Sequence, residues 1–132
     1  MMMSAFLVIG ALAGAQAPFH VSNTEEYSNV CSVEDGDVVG TTIRIVPAMN
    51  GPHLSIQRYE GGPLAPNVFY PAVERDRLVV KSARNEVLYT IRRDGSDVLI
   101  KYLNGEEGRD GNSTEERLSP TIKNGNAFPS CR

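Results

Sequence analysis

The sequence predicts an all-β protein, a small antiparallel barrel or sandwich whose chain ends are tied by one disulfide. From residue 41 onward, β-branched side chains alternate with polar ones, and Asn-Gly and Asp-Gly turn signals separate the alternating runs. No stretch between these runs has the 3.6-residue apolar period of an amphipathic helix. Parallel strands joined by helices are therefore disfavoured.

Residues 1–17, MMMSAFLVIGALAGAQA, have the pattern of a secretory signal peptide. An apolar run precedes the small-x-small triplet Ala15-Gln16-Ala17, and it is shorter than the roughly 20 apolar residues that span a bilayer. The segment has no basic residue before the run, so a buried N-terminal helix or strand is the alternative. We expect one β-domain over residues 18–132, exported to a periplasmic or extracellular location and not attached to a membrane.

The two cysteines, Cys31 and Cys131, lie near the two ends of the expected mature chain. In an exported protein such a pair is typical of a disulfide. A bridge would close a loop of about 100 residues and hold both chain ends. Neither cysteine has a second ligand at zinc spacing and no C-x-x-C motif is present, which makes a metal pair or a catalytic thiol the weaker interpretation.

Two capping-box patterns, Ser22-Asn23-Thr24-Glu25 and Ser113-Thr114-Glu115-Glu116, each predict a short helical turn. Neither is followed by a long apolar stripe at helical spacing, so no major helix is expected.

Six strands are predicted from alternation and turn signals. They are residues 41–46, 54–59, 68–70, 78–81, 86–92 and 98–103. The last three should form an antiparallel meander over residues 78–103. Asp94-Gly95 is expected to form a type I′ hairpin turn inside this meander, and Asn104-Gly105 a second turn of the same kind.

The composition excludes several classes of partner. A chain of 132 residues with a formal charge of −3 fits one globular domain and has no general attraction for nucleic acid or anionic membranes. Residues 104–117 hold five carboxylates against two arginines, a local charge of −3 that equals the charge of the whole chain. This stretch is expected to be a solvated acidic loop.

No catalytic or metal-binding motif is present. The only histidines are His20 and His53, and nothing selects a nucleophile, a phosphate cradle or a set of metal ligands. The loop from Asp110 lacks the glycine and the acid that a calcium loop needs at its sixth and twelfth places. We therefore expect a non-enzymatic protein with no cofactor and no metal. Asn112-Ser113-Thr114 is an N-glycosylation sequon, relevant only in a eukaryotic source.

Two segments are candidates for binding another protein. Segment 60–76 contains Leu64, Phe69, Tyr70 and Arg75, and its prolines stiffen the backbone. Aromatic and arginine side chains are among the residue types that dominate interfaces. The alternative is that its aromatic residues pack in the core as a strand.

The second candidate segment is the acidic loop. Its residues Glu106, Glu107 and Asp110 would meet a basic protein, for example a cationic hydrolase or toxin.

The expected function is that of a protein-binding module, an exported inhibitor or immunity protein against a hydrolase or toxin. A small-ligand carrier with a cavity inside the barrel is the alternative. The format is similar to that of small bacterial periplasmic lysozyme inhibitors, which are disulfide-linked β-barrels. Their Ser-Gly-x-x-Tyr stretch has no counterpart here, the nearest being Arg58-Tyr59-Glu60-Gly61-Gly62, so the resemblance implies no residue roles.

Overall fold

The computed structural model describes residues 17–106, 114–121 and 128–131. These residues form ten strands and no helix, so among them no helix could cross a membrane. In chain order the strands are β1 (Glu25–Ser28), β2 (Cys31–Ser32), β3 (Val38–Val46), β4 (His53–Gly61), β5 (Asn67–Phe69), β6 (Ala72–Glu74), β7 (Arg77–Lys81), β8 (Val87–Asp94), β9 (Asp97–Tyr102) and β10 (Glu115–Pro120).

The strands form one antiparallel sheet, which curls into a half-barrel. Its order is β5-β4-β3-β1-β10-β9-β8-β7-β6, with β2 beside β3. A flat row of nine strands would be about 38 Å wide. Only Tyr70 and Pro71 separate the edge strands β5 and β6, and an extended chain of this length reaches about 11 Å. The two edges must therefore lie close together, and the predicted all-β antiparallel fold class is confirmed.

The core fills the inside of this curl. Alternate residues of each strand point inward, as Ile43 and Ile45 do from β3 and Val98 and Ile100 do from β9, and all four are fully buried. Each fully buried side chain of this kind contributes about 1.5–3 kcal/mol of transfer free energy. The core cluster consists of Phe19, Tyr27, Ile43, Ile45, Leu54, Ile56, Leu78, Val80, Tyr89, Ile91, Val98, Ile100, Tyr102 and Leu118.

The predicted meander over residues 78–103 is confirmed, since β7, β8 and β9 pair in sequence order. The turn inside it is shifted by one residue, because Asp94 pairs with Asp97 and leaves Gly95-Ser96 as the turn. Only Gly95 has a positive φ, 65°, which is the pattern of a type II′ turn rather than the predicted type I′. At Asn104-Gly105 both residues have positive φ, 51° and 93°, as a type I′ turn requires.

Both predicted helical turns are wrong, because the residues after each capping-box start are strands. Glu25 begins β1, which pairs with β3 and β10, and Glu115 begins β10, which pairs with β9 and β1. A single helical turn is unstable alone, whereas a strand inside a sheet hydrogen-bonds to two neighbours. The predicted solvated loop over 104–117 is corrected at its end for the same reason, since the buried Glu116 belongs to the sheet.

Residues 18–21, which we call the N-terminal plug, close one end of the half-barrel. Phe19 is 5% exposed and belongs to the core. The guanidinium of Arg93 lies 4.2 Å from the centroid of the Phe19 ring and donates to the carbonyl of His20 at 2.8 Å. It also donates to both carboxylate oxygens of Glu25, at 2.6 and 2.8 Å. Arg93 of β8 thus holds the plug and β1 together.

The predicted disulfide between Cys31 and Cys131 is confirmed, with Cα atoms 4.9 Å apart and 100 residues between them in sequence. Backbone hydrogen bonds support it, from the N–H of Ser32 to Pro129 at 2.7 Å and from the N–H of Cys131 to Ser32 at 2.8 Å. The bond is compatible with an oxidising, exported location. Residues 1–16, most of the predicted signal peptide, lie outside the described residues.

Replacing both cysteines by serine (C31S/C131S) should lower the free energy of unfolding by about 4–5 kcal/mol, because the unfolded chain regains the entropy of a long open loop. Urea unfolding followed by circular dichroism measures the difference. Wild-type protein unfolded with a reducing agent is the control and should show the same loss. A loss below about 1 kcal/mol would mean that the backbone hydrogen bonds alone hold the chain end.

Glu25→Gln should weaken the dependence of stability on pH in acid. The hydrogen bond from Arg93 lowers the pKa of Glu25 from its ordinary value of 4.5, against the opposing effect of burial. A carboxyl group with a lowered pKa stabilises the fold above its unfolded pKa, and this stabilisation is lost as the pH falls through the folded pKa. The free energy of unfolding, measured with urea at a series of pH values, should therefore fall less steeply below about pH 4.5 in the variant.

Glu26→Gln is the matched control for this measurement, because Glu26 is the next residue of β1 and lies opposite Arg44 rather than near Arg93. In Glu26→Gln, the free energy of unfolding should fall with decreasing pH as steeply as in the wild-type protein. An equal reduction in both variants would contradict the role assigned to the Glu25–Arg93 pair.

Candidate functional site

Leu64 is held in a fixed and exposed position beside β4. Its N–H donates to the carbonyl of Arg58 at 2.9 Å, and its carbonyl accepts a hydrogen bond from Nε2 of Gln57 at 2.9 Å. Just before it, Pro63 forms an isolated bridge with Tyr59. Both backbone polar groups of Leu64 are therefore satisfied, while its side chain remains 45% exposed.

Val68 and Tyr70 continue along the same side of β4. Val68 lies opposite Ser55 in the β4–β5 register. The ring of Tyr70 meets the ring of His53 edge to face, with centroids 4.8 Å apart. The side chains of Val68 and Tyr70 are 55% and 75% exposed, so both present apolar surface to solvent.

Leu64, Val68 and Tyr70 together form what we call the outer strip. Their neighbours on β4 are every second residue, His53, Ser55 and Gln57, which point outward because the residues between them point into the core. Four residues of strand span about 13 Å, which sets the length of the strip. Val68 and Tyr70 therefore lie on the outer face of the half-barrel, beside the joint between β5 and β6. Leu64 lies at the other end of the strip, at the edge of the sheet opposite Arg58.

Phe69, predicted together with Tyr70 as an exposed anchor, points the other way. It is half-buried and packs against the core, with its ring centroid 5.5 Å from that of Tyr89. Adjacent residues of a strand point to opposite faces, so only one of the two aromatic rings can face solvent. Phe69 supports the strip from inside, and Tyr70 belongs to it.

The other predicted binding residues lie elsewhere. Arg75 is exposed in the two-residue turn between β6 and β7, in the left-handed region with φ 61°. Glu106 is half-buried and accepts a hydrogen bond from the hydroxyl of Tyr89 at 2.9 Å. Since Tyr89 also contacts Phe69, it links the acidic loop to segment 60–76. Glu107 and Asp110 lie outside the described residues.

A polar cluster that the sequence did not predict surrounds Glu116 on the inner face of β10. Glu116 is 7% exposed and accepts hydrogen bonds from Nδ2 of Asn29 at 2.6 Å and from the hydroxyl of Tyr102 at 3.0 Å. The guanidinium of Arg58 lies 3.9 Å from the same carboxylate and 4.9 Å from the centre of the Tyr102 ring. A signal for this burial existed in the sequence, since Glu116 lies two residues before the apolar Leu118, the spacing that places two residues on the same face of a strand.

Burial controls the chemistry of the tyrosines in this region. It raises the pKa of Tyr89 to about 12, and the Glu106 carboxylate adds to the effect. Burial also raises the pKa of Tyr102, with a further contribution from the charge of Glu116. Both phenols act as hydrogen-bond donors to carboxylates, and the raised pKa values keep them protonated further into alkaline pH than an exposed tyrosine. Their role is to join β8 and β9 to the segments that carry Glu106 and Glu116.

Asn29 reaches Glu116 because the chain passes very close to β3 at Gly40. The N–H of Asn29 donates to the carbonyl of Thr41 at 3.0 Å, and Oδ1 of Asn29 accepts from the N–H of Thr41 at 2.7 Å. A Cβ atom at Gly40 would lie 2.7 Å from Cα of Val30 and 2.8 Å from Oδ1 of Asn29. Gly40 also has a φ of 136°, which favours glycine. Only glycine permits this approach.

Comparison of this chain with protein-family models, with curated proteins and with solved structures found no match. No residue role is therefore carried over from another protein. Among residues 17–106, 114–121 and 128–131, no group of three or more His, Cys, Asp or Glu side chains is placed to hold a metal ion.

Gly40→Ala should lower the free energy of unfolding by about 3 kcal/mol or more, because the added carbon meets backbone atoms as well as a disfavoured φ. Gly36→Ala is the matched control, since Gly36 has a φ of 93° but no heavy atom within 4 Å of the added carbon. Gly36→Ala should lower the free energy of unfolding by about 1 kcal/mol, because only the unfavourable positive φ contributes. Urea unfolding measures both, and equal losses would show that the approach of Asn29 and Val30 is not tight.

Proposed function

We propose that this protein is an exported, non-enzymatic protein-binding module, an inhibitor or immunity protein directed against a hydrolase or toxin. The observation that supports this proposal is the outer strip. Six large apolar side chains are exposed among the described residues, and three of them, Leu64, Val68 and Tyr70, form the strip within a seven-residue segment. Such a concentration of exposed apolar side chains is typical of an interaction site.

The strip is suited to binding because its geometry is set before a partner arrives. The backbone of Leu64 is hydrogen-bonded to β4, Val68 lies in a strand, and Tyr70 packs against His53. A rigid surface loses little conformational entropy on association, so more of the contact energy appears as affinity. Tyrosine is also among the residues that contribute most to interfaces.

The charge of the chain favours a basic partner. The formal charge is −3, and residues 104–117 carry a local charge of −3, to which the buried Glu116 contributes one unit. Glu106, at the start of that stretch, is joined through Tyr89 to the segment that carries the strip. An acidic surface would speed association with a cationic protein such as a secreted lysozyme or ribonuclease.

A small-ligand carrier is the alternative, and it would need an open interior. The core is filled by buried side chains that point inward from β3, β4 and β7 to β10. No specific observation favours a carrier, and we keep the protein-binding proposal.

The test measures whether the purified protein slows a cationic lysozyme or a cationic secreted ribonuclease. We expect one of the two enzymes to lose activity in proportion to added protein, up to an equimolar ratio. Leu64→Asp and Tyr70→Asp should each weaken inhibition by about 30-fold or more, because a buried interface anchor typically contributes 2 kcal/mol or more. Enzyme activity against peptidoglycan or RNA is the readout.

Met49→Asp is the matched control, because Met49 is 103% exposed but lies in the turn between β3 and β4, outside the strip. It should inhibit as the wild-type protein does. If neither enzyme is slowed at a large molar excess, the proposal of an inhibitor of basic hydrolases is wrong. If inhibition occurs and the strip variants retain it, the function stands but the assigned surface is wrong.

A further inference from the structure

Two arginines face each other on the outer side of the neighbouring strands β7 and β8. Arg77 of β7 pairs with Arg92 of β8. The adjacent pair, Leu78 and Ile91, is fully buried, so the two arginines point outward. Like charges directly opposite each other across strands are destabilising. The fold therefore maintains an unfavourable pair on its surface.

The charges around this pair are unequally neutralised. Nε of Arg77 contacts Oδ1 of Asp76 at 3.3 Å. Further along the same row, Arg117 is paired with Asp94 and with Asp97. Arg92, in the middle of the row, has no hydrogen-bond or ion-pair partner among the residues that the structure describes.

A third cation lies diagonally across from Arg92. Lys101 of β9 pairs with Thr90, two residues before Arg92 in β8. Diagonal neighbours of this kind lie about 7–8 Å apart, within reach of long side chains. Lys101 makes no ion-pair contact among the described residues, although Glu115 of β10 lies directly opposite it, as Glu74 of β6 lies opposite Arg77. Arg77, Arg92 and Lys101 thus form a cluster of three cations on three adjacent strands, which we call the basic triad.

The surface beneath the triad is packed rather than open. Leu99 lies opposite Arg92 and points outward, yet it is 8% exposed, and Val79 in the next row is 5% exposed. The alkyl stems of arginine and lysine are long enough to cover outward-pointing aliphatic side chains of this kind.

We propose that the basic triad is a binding site for a phosphate group. The planar guanidinium forks of two adjacent arginines suit the oxygens of a phosphate, and charge-assisted hydrogen bonds of this kind are about twice as strong as neutral ones. A bound phosphate would also remove the repulsion between Arg77 and Arg92. The ligand is either a free phosphate or the phosphate of a polymer, and the proposal is independent of the outer strip.

The experiment titrates the purified protein with inorganic phosphate, and separately with a short polyphosphate, while sodium chloride keeps the ionic strength constant. Backbone amide NMR signals are followed. We expect saturable shifts centred on β7, β8 and β9, and about tenfold weaker binding for Arg92→Gln, which removes a charge-assisted pair. Binding of both probes identifies the phosphate group itself, and binding of polyphosphate alone identifies a polymer as the ligand.

Arg44→Gln is the matched control, since Arg44 is exposed on the outer face of β3, away from the triad. It should bind phosphate as the wild-type protein does. Arg92→Gln should also keep or raise the midpoint of urea unfolding, because it removes a like-charge pair. Shifts that do not saturate with either probe, or equal weakening in Arg44→Gln and Arg92→Gln, would overturn the proposal.

Discussion

The shortness of the connection between β5 and β6 is the constraint on which the rest of the structure depends. The two strands lie at opposite ends of the sheet order, yet only Tyr70 and Pro71 separate them in the chain. Pro71 is buried and has no N–H to donate to a ladder, and it stands where the chain stops pairing with β4 and begins to pair with β7. Because this short connection brings the two edges of the sheet together, the sheet curls and its inner face encloses one core. The exposed strip lies directly before the joint.

Polar side-chain contacts join separate segments of the curled sheet at two further places. Arg93 ties the N-terminal plug to Glu25 and covers Phe19. Elsewhere on the inner face, Asn29 binds both Thr41 and Glu116, so it connects the chain before β2 to β3 and β10. Cys31 lies two residues after Asn29. The disulfide therefore holds the same segment, from Asn29 to Cys31, that packs closely against Gly40 of β3. A small domain gains the rigidity that preorganised binding requires from such contacts.

The two proposed surfaces differ in chemistry and position. The outer strip lies beside β4, where apolar side chains are exposed on a hydrogen-bonded backbone. The basic triad lies on β7, β8 and β9, where like charges are opposed without full neutralisation. The curl brings β5 close to β6, which pairs with β7, so the two surfaces lie on either side of the joint. They have no residue in common.

The sequence by itself determined six of the seven strands from β3 to β9, because alternation and glycine turns are local signals. It missed β6, a three-residue strand directly after Pro71. It also determined the disulfide, since the chain has only two cysteines. Tertiary structure decided β1 and β10, because a capping box and a strand pattern coexist in those residues and only pairing with distant strands selects between them. It also decided that Phe69 faces the core while Tyr70 faces solvent. Alternation predicts that neighbouring residues point to opposite sides, but only the register with β4 sets which side is inside.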